Sequence, residues 1–230
     1  LTKQGVIKRT PLSAYENIRR SGLIAINLND GDRLAWSGIT SGENELVVAT
    51  KQGMAIRFAE SDLRVLGRTA TGVRAIRLKE GDSVVGVGVV REGATVLTVT
   101  EEGKGRRTDV RDYRTQYRGG LGIRNYGSKG HVAGLKVIDD TDDIILISIR
   151  MHVEDINVQS RYGSGVRVMR LGEGDRVVTV ARTEHSDEEE TAKPEDDGAE
   201  EELSAEELAA LEAEEAQNAA GEEDAAPEDG

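Results

Sequence analysis

The sequence predicts an all-β protein built from repeated four-stranded antiparallel sheets, and two observations support that prediction. Short segments rich in β-branched residues are separated by glycine turns, and they recur with a period close to fifty residues. The chain also has no cysteine, which excludes disulfides. A four-stranded antiparallel sheet in each repeat is the unit of radial blade assemblies. We therefore expect blades that are held together by burial of apolar side chains, without disulfides.

One hairpin signature defines the period. It reads TKQGVIKRT at residues 2–10, TKQGMAIRF at 50–58 and TEEGKGRRT at 100–108, and Gly22, Gly72 and Gly122 recur at the same spacing of fifty. The pattern predicts four repeats, over residues 1–44, 45–92, 93–141 and 142–183. The fourth is expected to be irregular, because Gly165 follows Gly122 by only 43 residues.

The second repeat shows the elements expected in each unit. Residues 46–50, 54–58, 73–78 and 83–90 are rich in β-branched residues and predict four short strands. Turns are expected at Gly53 and at the Glu-Gly-Asp sequence of residues 80–82. We expect the four strands of a repeat to form one sheet.

Charge divides the chain into two parts. Residues 184–230 contain 21 Asp or Glu and a single lysine, whereas residues 1–183 contain 29 Lys or Arg and 22 acidic residues. The tail cannot build an apolar core and is predicted to be disordered. Because its charge is opposite to that of the repeats and it is tethered to them, we expect it to compete with a polyanion for the basic surface.

The basic repeats favour duplex nucleic acid as a partner. Only seven aromatic residues occur in the chain, so stacking platforms for single-stranded bases are scarce. The longest apolar run, residues 144–149, is far shorter than the roughly 20 residues of a membrane-spanning helix. We expect no membrane partner and a cytoplasmic location.

Lysine and arginine recur in register with the glycines. One series lies three and four residues after each hairpin glycine, and a second flanks the later glycine. Repeated from blade to blade, these cations would form a belt that neutralises phosphates along a curved duplex without reading bases. The alternative is an ordinary solvated sheet face. The candidate DNA-binding cations are Lys8, Arg9, Arg19, Arg20, Arg57, Arg68, Arg74, Arg106, Arg107, Arg118, Arg124, Arg161 and Arg167.

The stretch TQYRGGLG, residues 115–122, combines an arginine with three glycines, which suits close approach to an anion and equally suits a tight turn. It resembles the Q-R-R-G-G-K-G box in the A chain of bacterial DNA gyrase, and residues 50–58 and 67–78 are also similar to the C-terminal domain of that chain. The resemblance covers residues 1–183. Tyr117 and Leu121 replace the Arg and Lys of the box, so the matching positions are Gln116, Arg118, Gly119, Gly120 and Gly122.

This resemblance implies a β-pinwheel, a propeller-like arrangement of four-stranded antiparallel blades with exchanged strands, whose basic rim wraps double-stranded DNA. Complete domains of the family have six blades, so this chain would correspond to the last four. The implied activity is that of a type IIA topoisomerase, in which two A and two B subunits use ATP and Mg²⁺ to introduce negative supercoils. The B subunit of gyrase and a second copy of its A subunit would then be partners at the nucleoid.

Two other functions remain open at this point. The incomplete box also resembles the corresponding C-terminal domain of topoisomerase IV, which acts in decatenation. A propeller-like scaffold for protein interaction belongs to another class, but the chain has no Trp-Asp repeat signature, since Ser37 follows Trp36. The response of DNA affinity to salt would separate a scaffold from a DNA-binding domain.

Nothing in the sequence predicts catalytic residues, a cofactor or a metal site on this chain. His131, His152 and His185 are scattered without the spacing of metal ligands or of a catalytic arrangement. Four aspartates, at positions 139, 140, 142 and 143, could in principle hold a cation, but their place between two repeats favours a solvated loop.

Overall fold

A computed structural model describes residues 1–18, 20–127, 130–146, 149–172, 174–184 and residue 213. Apart from Glu184 and Ala213, the acidic tail that was predicted to be disordered lies outside this range, as does Arg19. No helix of the described residues is long and apolar enough to cross a membrane. The strands are β1 (Val6–Ile7), β2 (Glu45–Thr50), β3 (Met54–Ala59), β4 (Val73–Arg74), β5 (Val84–Val89), β6 (Thr95–Thr100), β7 (Lys104–Asp109), β8 (Ile123–Arg124), β9 (Val132–Ile138), β10 (Asp142–Leu146), β11 (Ile149–His152), β12 (Val166–Arg167) and β13 (Ala181–Glu184).

Short 3₁₀ turns follow the second strand of each hairpin, at Leu12–Tyr15, Glu60–Asp62, Val110–Asp112 and Val153–Asp155. All strand pairs are antiparallel, and two sheets are four-stranded, with the orders β5-β2-β3-β8 and β9-β6-β7-β12. The described part of the fourth repeat forms the sheet β11-β10-β13, and β1 pairs with β4. The prediction of an all-β fold of antiparallel blades is confirmed.

The outer strands of the two four-stranded sheets come from the following repeats. Met54 of β3 pairs with Arg124 of β8, and Lys104 of β7 pairs with Arg167 of β12. The expectation that four strands of one repeat form one sheet is therefore wrong: β4, within the predicted strand 73–78, pairs with β1 of the first repeat. The exchange that the family resemblance implied is confirmed.

Both faces of the central sheets are buried. Along β2, Val47 and Ala49 contribute to a cluster shared with the third repeat, whereas Leu46 and Val48 face a cluster shared with the first. Successive side chains of a strand point to opposite faces, so an uninterrupted apolar run supplies both contacts. The second and third repeats are thereby each packed between two neighbouring repeats, like blades in a stack.

The inner and outer edges of the sheets follow from these contacts. Strands β5 and β9 lie against each other, and β13 contacts β9. Glycine makes the approach possible, because a Cβ added at Gly86 would lie 2.8 Å from backbone atoms of Leu135. The short exchanged strands β8 and β12 lie at the opposite edge of their sheets, which is the outer edge.

Candidate nucleic-acid interface

The glycine before each exchanged strand allows close contact with the preceding repeat. At Gly122, φ is +76° and an added Cβ would lie 2.3 Å from the carbonyl oxygen of Ala55. At Gly72, φ is +112° and the corresponding distance to the carbonyl oxygen of Ile7 is 2.5 Å. Gly165 is in equivalent contact with the third repeat. The last glycine of TQYRGGLG is thus required by packing, as it is at the same position of other repeats.

The rest of TQYRGGLG also lies against the second repeat. The backbone N–H of Gln116 donates to the carbonyl oxygen of Arg57 at 2.8 Å, and that of Gly119 donates to the carbonyl oxygen of Ala75 at 2.7 Å. Gly120 is buried in the same segment. The stretch is therefore a connection that docks on its neighbour, and its glycines serve this contact.

Arginines four residues before these glycines make one repeated contact across the junctions between repeats. In each case Nη1 of the arginine donates to a backbone carbonyl oxygen of the preceding repeat. That carbonyl belongs to the residue two positions after the corresponding glycine of that repeat. The bonds join Arg68 to Ile24 at 2.8 Å, Arg118 to Arg74 at 3.2 Å and Arg161 to Arg124 at 2.6 Å.

This contact gathers cations at the outer edges of successive sheets. The Arg118 side chain contacts the backbone of Arg74, and that of Arg161 contacts the backbone of Arg124, so arginine residues of adjacent repeats adjoin each other. Arg74 is exposed, and the other members of the set are partly exposed. Such a concentration of positive charge favours an anionic partner. We call the set the rim arginines: Arg68, Arg74, Arg118, Arg124, Arg161 and Arg167.

Three of the predicted DNA-binding arginines lie elsewhere. Arg106 has no exposed surface, Arg107 is 4% exposed, and the side chain of Arg57 is 16% exposed. All three lie on β3 or β7, whose sheets are covered on both faces by the neighbouring repeats. The expected surface position is therefore wrong for Arg106 and Arg107, because the neighbouring repeats cover both faces of their sheet, and Arg57 is only partly exposed for the same reason.

Arg57 and Arg107 link each repeat to the 3₁₀ turn of the next. Their Nη1 atoms donate to the first carbonyl of that turn, at 2.9 Å in both cases, and to the carbonyl just beyond it. Each guanidinium also pairs with a carboxylate. The acceptors are Val110, Tyr113 and Glu45 for Arg57, and Val153, Ile156 and Asp140 for Arg107.

Glu45 is held ionised by this arrangement. Thr115 Oγ1 donates to its Oε1 at 2.7 Å, and Arg57 Nε donates to its Oε2 at 3.0 Å. Burial acts to raise the pKa of Glu45, but the hydrogen bonds from Thr115 and Arg57 and the charge of Arg57 outweigh it and hold the pKa below its ordinary value. Thr115 is the first residue of TQYRGGLG, so this carboxylate also anchors that stretch.

The cations of the first repeat bind backbone oxygens at the junction with the second. Lys8 Nζ donates to the carbonyl oxygens of Ala25 at 2.5 Å, Gly67 at 3.2 Å and Arg68. Desolvation, with the nearby charge of Arg68, lowers the pKa of Lys8. Arg9 Nη1 similarly donates to the carbonyl oxygen of Gly42 at 3.2 Å. Both side chains are half-buried rather than fully solvated, whereas the predicted Arg20 is exposed.

Sequence reasoning missed further surface cations that follow the same period. Arg64 and Arg114 are exposed and lie fifty residues apart, each eight residues before the glycine of its repeat. Their signal is the fifty-residue spacing itself, although they lie outside the two series of cations that flank the glycines. Arg77 is also exposed, five residues after Gly72.

The aspartate-rich loop between β9 and β10 is occupied by arginines. Arg91 Nη1 lies 2.9 Å from Asp139 Oδ2, and Asp142 Oδ2 lies 3.4 Å from both Arg91 and Arg182. Among the described residues, no group of three or more His, Asp or Glu side chains is arranged to hold a metal ion. These aspartates therefore form ion pairs, in which Arg91 of the second repeat joins Asp139 of the third repeat and Asp142 of the fourth.

The whole succession of repeats matches one protein family. The family model described as "DNA gyrase C-terminal domain, beta-propeller" matches residues 1–41, 44–91, 94–139 and 147–184. The chain belongs to this family. The family relationship that the box and the hairpin signatures indicated is confirmed.

Relatives of this gyrase domain are the A subunits of bacterial DNA gyrases. The chain is 55% identical over 197 residues to the gyrase A protein of Halalkalibacterium halodurans, and the match covers 82% of the chain and 24% of that protein. It is 40% identical over 204 residues to the gyrase A protein of Staphylococcus aureus, with 84% and 23% covered. The chain thus spans about a quarter of the length of these relatives.

Solved structures of C-terminal domains share the fold of this gyrase family member. The C-terminal domain of DNA topoisomerase IV superposes with a TM-score of 0.76 at 28% identity, covering 93% of this chain and 65% of the other. A DNA gyrase A C-terminal domain superposes with a TM-score of 0.71, also at 28% identity, covering 79% and 63%. Both support the β-pinwheel architecture.

Proposed function

We propose that this chain binds and bends duplex DNA along the rim arginines, as the wrapping domain of a DNA gyrase A protein. One observation supports this most directly: arginines of adjacent repeats adjoin each other at the outer edges of the sheets, as where the Arg118 side chain contacts the backbone of Arg74. The family membership of the chain is consistent with that role.

The physical basis of such binding is neutralisation of phosphates. Arginine presents several donors to phosphate oxygens, and each neutralised phosphate releases counterions from the duplex. Bending a site of 20–30 base pairs costs about 1–6 kcal/mol, which further contacts on successive repeats can offset. Because backbone contacts do not read bases, sequence preference would come from the flexibility of the DNA.

In this proposal the chemistry of the topoisomerase lies outside the chain. Cleavage and religation of DNA, and hydrolysis of ATP with Mg²⁺ by the gyrase B protein, would take place in an assembly of two A and two B subunits in the cytoplasm, at the nucleoid. The chain itself supplies no catalytic residue and no cofactor. Its bend would present a second DNA segment to the gate, and the hand of the wrap would determine negative supercoiling.

The test is a salt titration of duplex binding by this chain, followed by fluorescence anisotropy. Contacts from several rim arginines predict that log K falls with log[salt] with a slope of about −0.9 for each phosphate contacted. An affinity that hardly responds to salt would contradict the proposal and support a protein-interaction scaffold.

A topoisomerase IV domain is the second candidate, and the superposition on that domain favours it. The two differ in the DNA topology that they stabilise. Nicked circles ligated in the presence of the chain should show a shift in linking number corresponding to a positive wrap if the chain is a gyrase domain. An unchanged linking number, together with salt-dependent binding, would instead indicate a topoisomerase IV domain.

A further inference from the structure

One position of the repeat is occupied by a cation in two repeats and by an apolar residue in the repeat between them. Lys8, Ile56 and Arg106 each lie three residues after the hairpin glycine of their repeat. They are therefore equivalent in the fold, yet two are basic and the middle one is aliphatic. Arg106 is buried, and Lys8 is half-buried.

Arg106 joins the exchanged strand of its own repeat to the next repeat. Its Nη2 donates to the carbonyl oxygen of Asn125, and its Nη1 donates to that of Gly163 at 2.5 Å. Its guanidinium also lies over the ring of Tyr126, 4.9 Å from the centroid, and the Tyr126 hydroxyl donates to the carbonyl oxygen of Ser164 at 2.6 Å. Arg106 thus contacts backbone on both sides of one junction.

The carbonyls that Arg106 binds lie next to rim arginines. Asn125 directly follows Arg124, and Gly163 lies between Arg161 and Arg167. The same guanidinium therefore connects the segments that hold three rim arginines of the third and fourth repeats. Its position influences how far apart these charges lie.

Lys8 makes the equivalent connection at the first junction. Its Nζ binds the carbonyl oxygens of Ala25 and Gly67. Ala25 lies three residues after Gly22, as Asn125 lies three residues after Gly122. A basic side chain at this position thus reaches the corresponding carbonyl in both repeats.

At the second junction the backbone makes these bonds without a cation. Ala75 corresponds to Asn125, and its carbonyl oxygen accepts from the N–H of Gly119 at 2.7 Å. Gly120 corresponds to Gly163, and its carbonyl oxygen accepts from the N–H of Arg77, also at 2.7 Å. Ile56 can therefore be aliphatic, because the backbone satisfies the counterparts of both acceptors of Arg106, one of which, Ala75, also corresponds to the Ala25 acceptor of Lys8.

We infer that Lys8 and Arg106 are positioning residues that contact no DNA themselves. Each sets the distance between the repeats that it joins, across the first and the third junction, and Arg106 thereby sets the spacing of the rim arginines of the third and fourth repeats. This inference rests on the proposed function for its consequence in DNA binding. The geometric part is independent of DNA, since it concerns only the distance between adjacent repeats. The two parts can be tested separately.

The geometric part is tested by distances between spin labels, which the absence of cysteine makes straightforward. Tyr117 and Ser160 are exposed, occupy equivalent positions of the third and fourth repeats, and would be labelled as Tyr117→Cys and Ser160→Cys. We expect Arg106→Met to shift or broaden the distance distribution, and Arg106→Lys to restore most of it. Arg111→Gln is the matched control, because Arg111 is exposed and pairs with Asp109 within its own repeat.

The first junction offers a second variant in case Arg106→Met does not fold. Labels at Asn17→Cys and Gly67→Cys would report Lys8→Met, and a Cβ at Gly67 meets no atom within 4 Å. Unchanged distance distributions in folded Lys8→Met or Arg106→Met, as judged by circular dichroism, would overturn the inference.

The DNA part compares a short duplex with a long one. A duplex of about 10 base pairs, roughly one helical turn, can contact few rim arginines, whereas one of about 40 base pairs can follow several repeats. Arg106→Met should weaken binding of the long duplex and leave the short one unchanged, while a phosphate contact by Arg106 itself would weaken both. If the wild-type chain binds neither duplex, the proposed function fails, and the label distances still decide the positioning role.

Discussion

Arg118 Nη1 lies 3.2 Å from the carbonyl oxygen of Arg74 and donates a hydrogen bond to it. The acceptor is a backbone oxygen, so the bond ties the Arg118 guanidinium to the adjacent repeat at Arg74 without using a carboxylate. Equivalent bonds occur at the two neighbouring junctions. A structure that concentrates like charges in this way favours binding of a polyanion.

Arg74→Gln should weaken duplex binding and reduce its salt dependence. The carbonyl oxygen that accepts from Arg118 remains, so the junction is preserved while one exposed cation is lost. The slope of log K against log[salt] should become less steep by about 0.9, the value of one phosphate contact on B-DNA. Arg111→Gln removes the same charge away from the rim and should leave the slope unchanged; equal changes in the two variants would exclude a specific rim.

Gly122→Ala should destabilise the protein more than Gly22→Ala. Both glycines have positive φ, +76° and +78°, so both substitutions incur a backbone penalty of about 1 kcal/mol. Only at Gly122 would the new Cβ also collide with a backbone oxygen, that of Ala55, whereas at Gly22 no atom lies within 4 Å. Overpacking adds about 1–3 kcal/mol.

Urea unfolding of the two glycine variants measures this difference directly. A larger loss of unfolding free energy for Gly122→Ala would support the role of close packing between repeats. Equal losses would show that the neighbouring repeat moves aside without penalty.

Arg107→Met should lower the free energy of unfolding by about 2–4 kcal/mol, because the carbonyl oxygens of Val153 and Ile156 would lose their buried donor. Asp140→Asn removes the partner carboxylate, whose side chain is 73% exposed, and should cost less than about 1 kcal/mol. Thermal and urea unfolding of both variants test the prediction. A larger effect of Asp140→Asn would place the stabilisation in the ion pair instead of the backbone bonds.

Acid should weaken the contact between the second and third repeats through Glu45. Its folded-state pKa lies below the ordinary value of 4.5, so its contribution to stability is complete above pH 4.5 and is lost as the pH falls through the folded-state pKa. Unfolding free energies measured between pH 6 and pH 3, in about half-unit steps, should therefore fall more steeply for the wild type than for Glu45→Gln. Parallel curves for the two proteins would contradict this assignment.

Removal of residues 186–230 should increase DNA affinity at low salt. The tail beginning at Glu184 has 21 acidic residues and one lysine, and is tethered to repeats of opposite charge. The gain should shrink as salt is raised, because screening weakens both interactions. Anisotropy titrations of the full and shortened chains test it, and identical affinities at low salt would reject competition by the tail.

The sequence alone determined the repeat and its strands. Apolar runs such as 46–50 require burial wherever they lie, and the fifty-residue spacing of Gly22, Gly72 and Gly122 was visible without coordinates. The glycines of residues 115–122 likewise indicated a backbone with positive φ, and Gly122 has a φ of +76°. These features depend on residues that are close together in the sequence, so they can be derived from the sequence alone.

Tertiary structure decided which repeat each strand joins and which arginines reach the surface. The residues of Val73–Arg74 would be the same whether this strand paired within its own repeat or with β1 of the first repeat. The sequence pattern therefore could not show that the strand is exchanged between repeats. Arg74 and Arg106 are the same residue type, yet Arg74 is exposed at an outer edge and Arg106 is buried in a sheet that is covered on both faces. The reason is that exposure depends on the stacking of neighbouring sheets, a relation between distant segments that the spacing of residues does not specify.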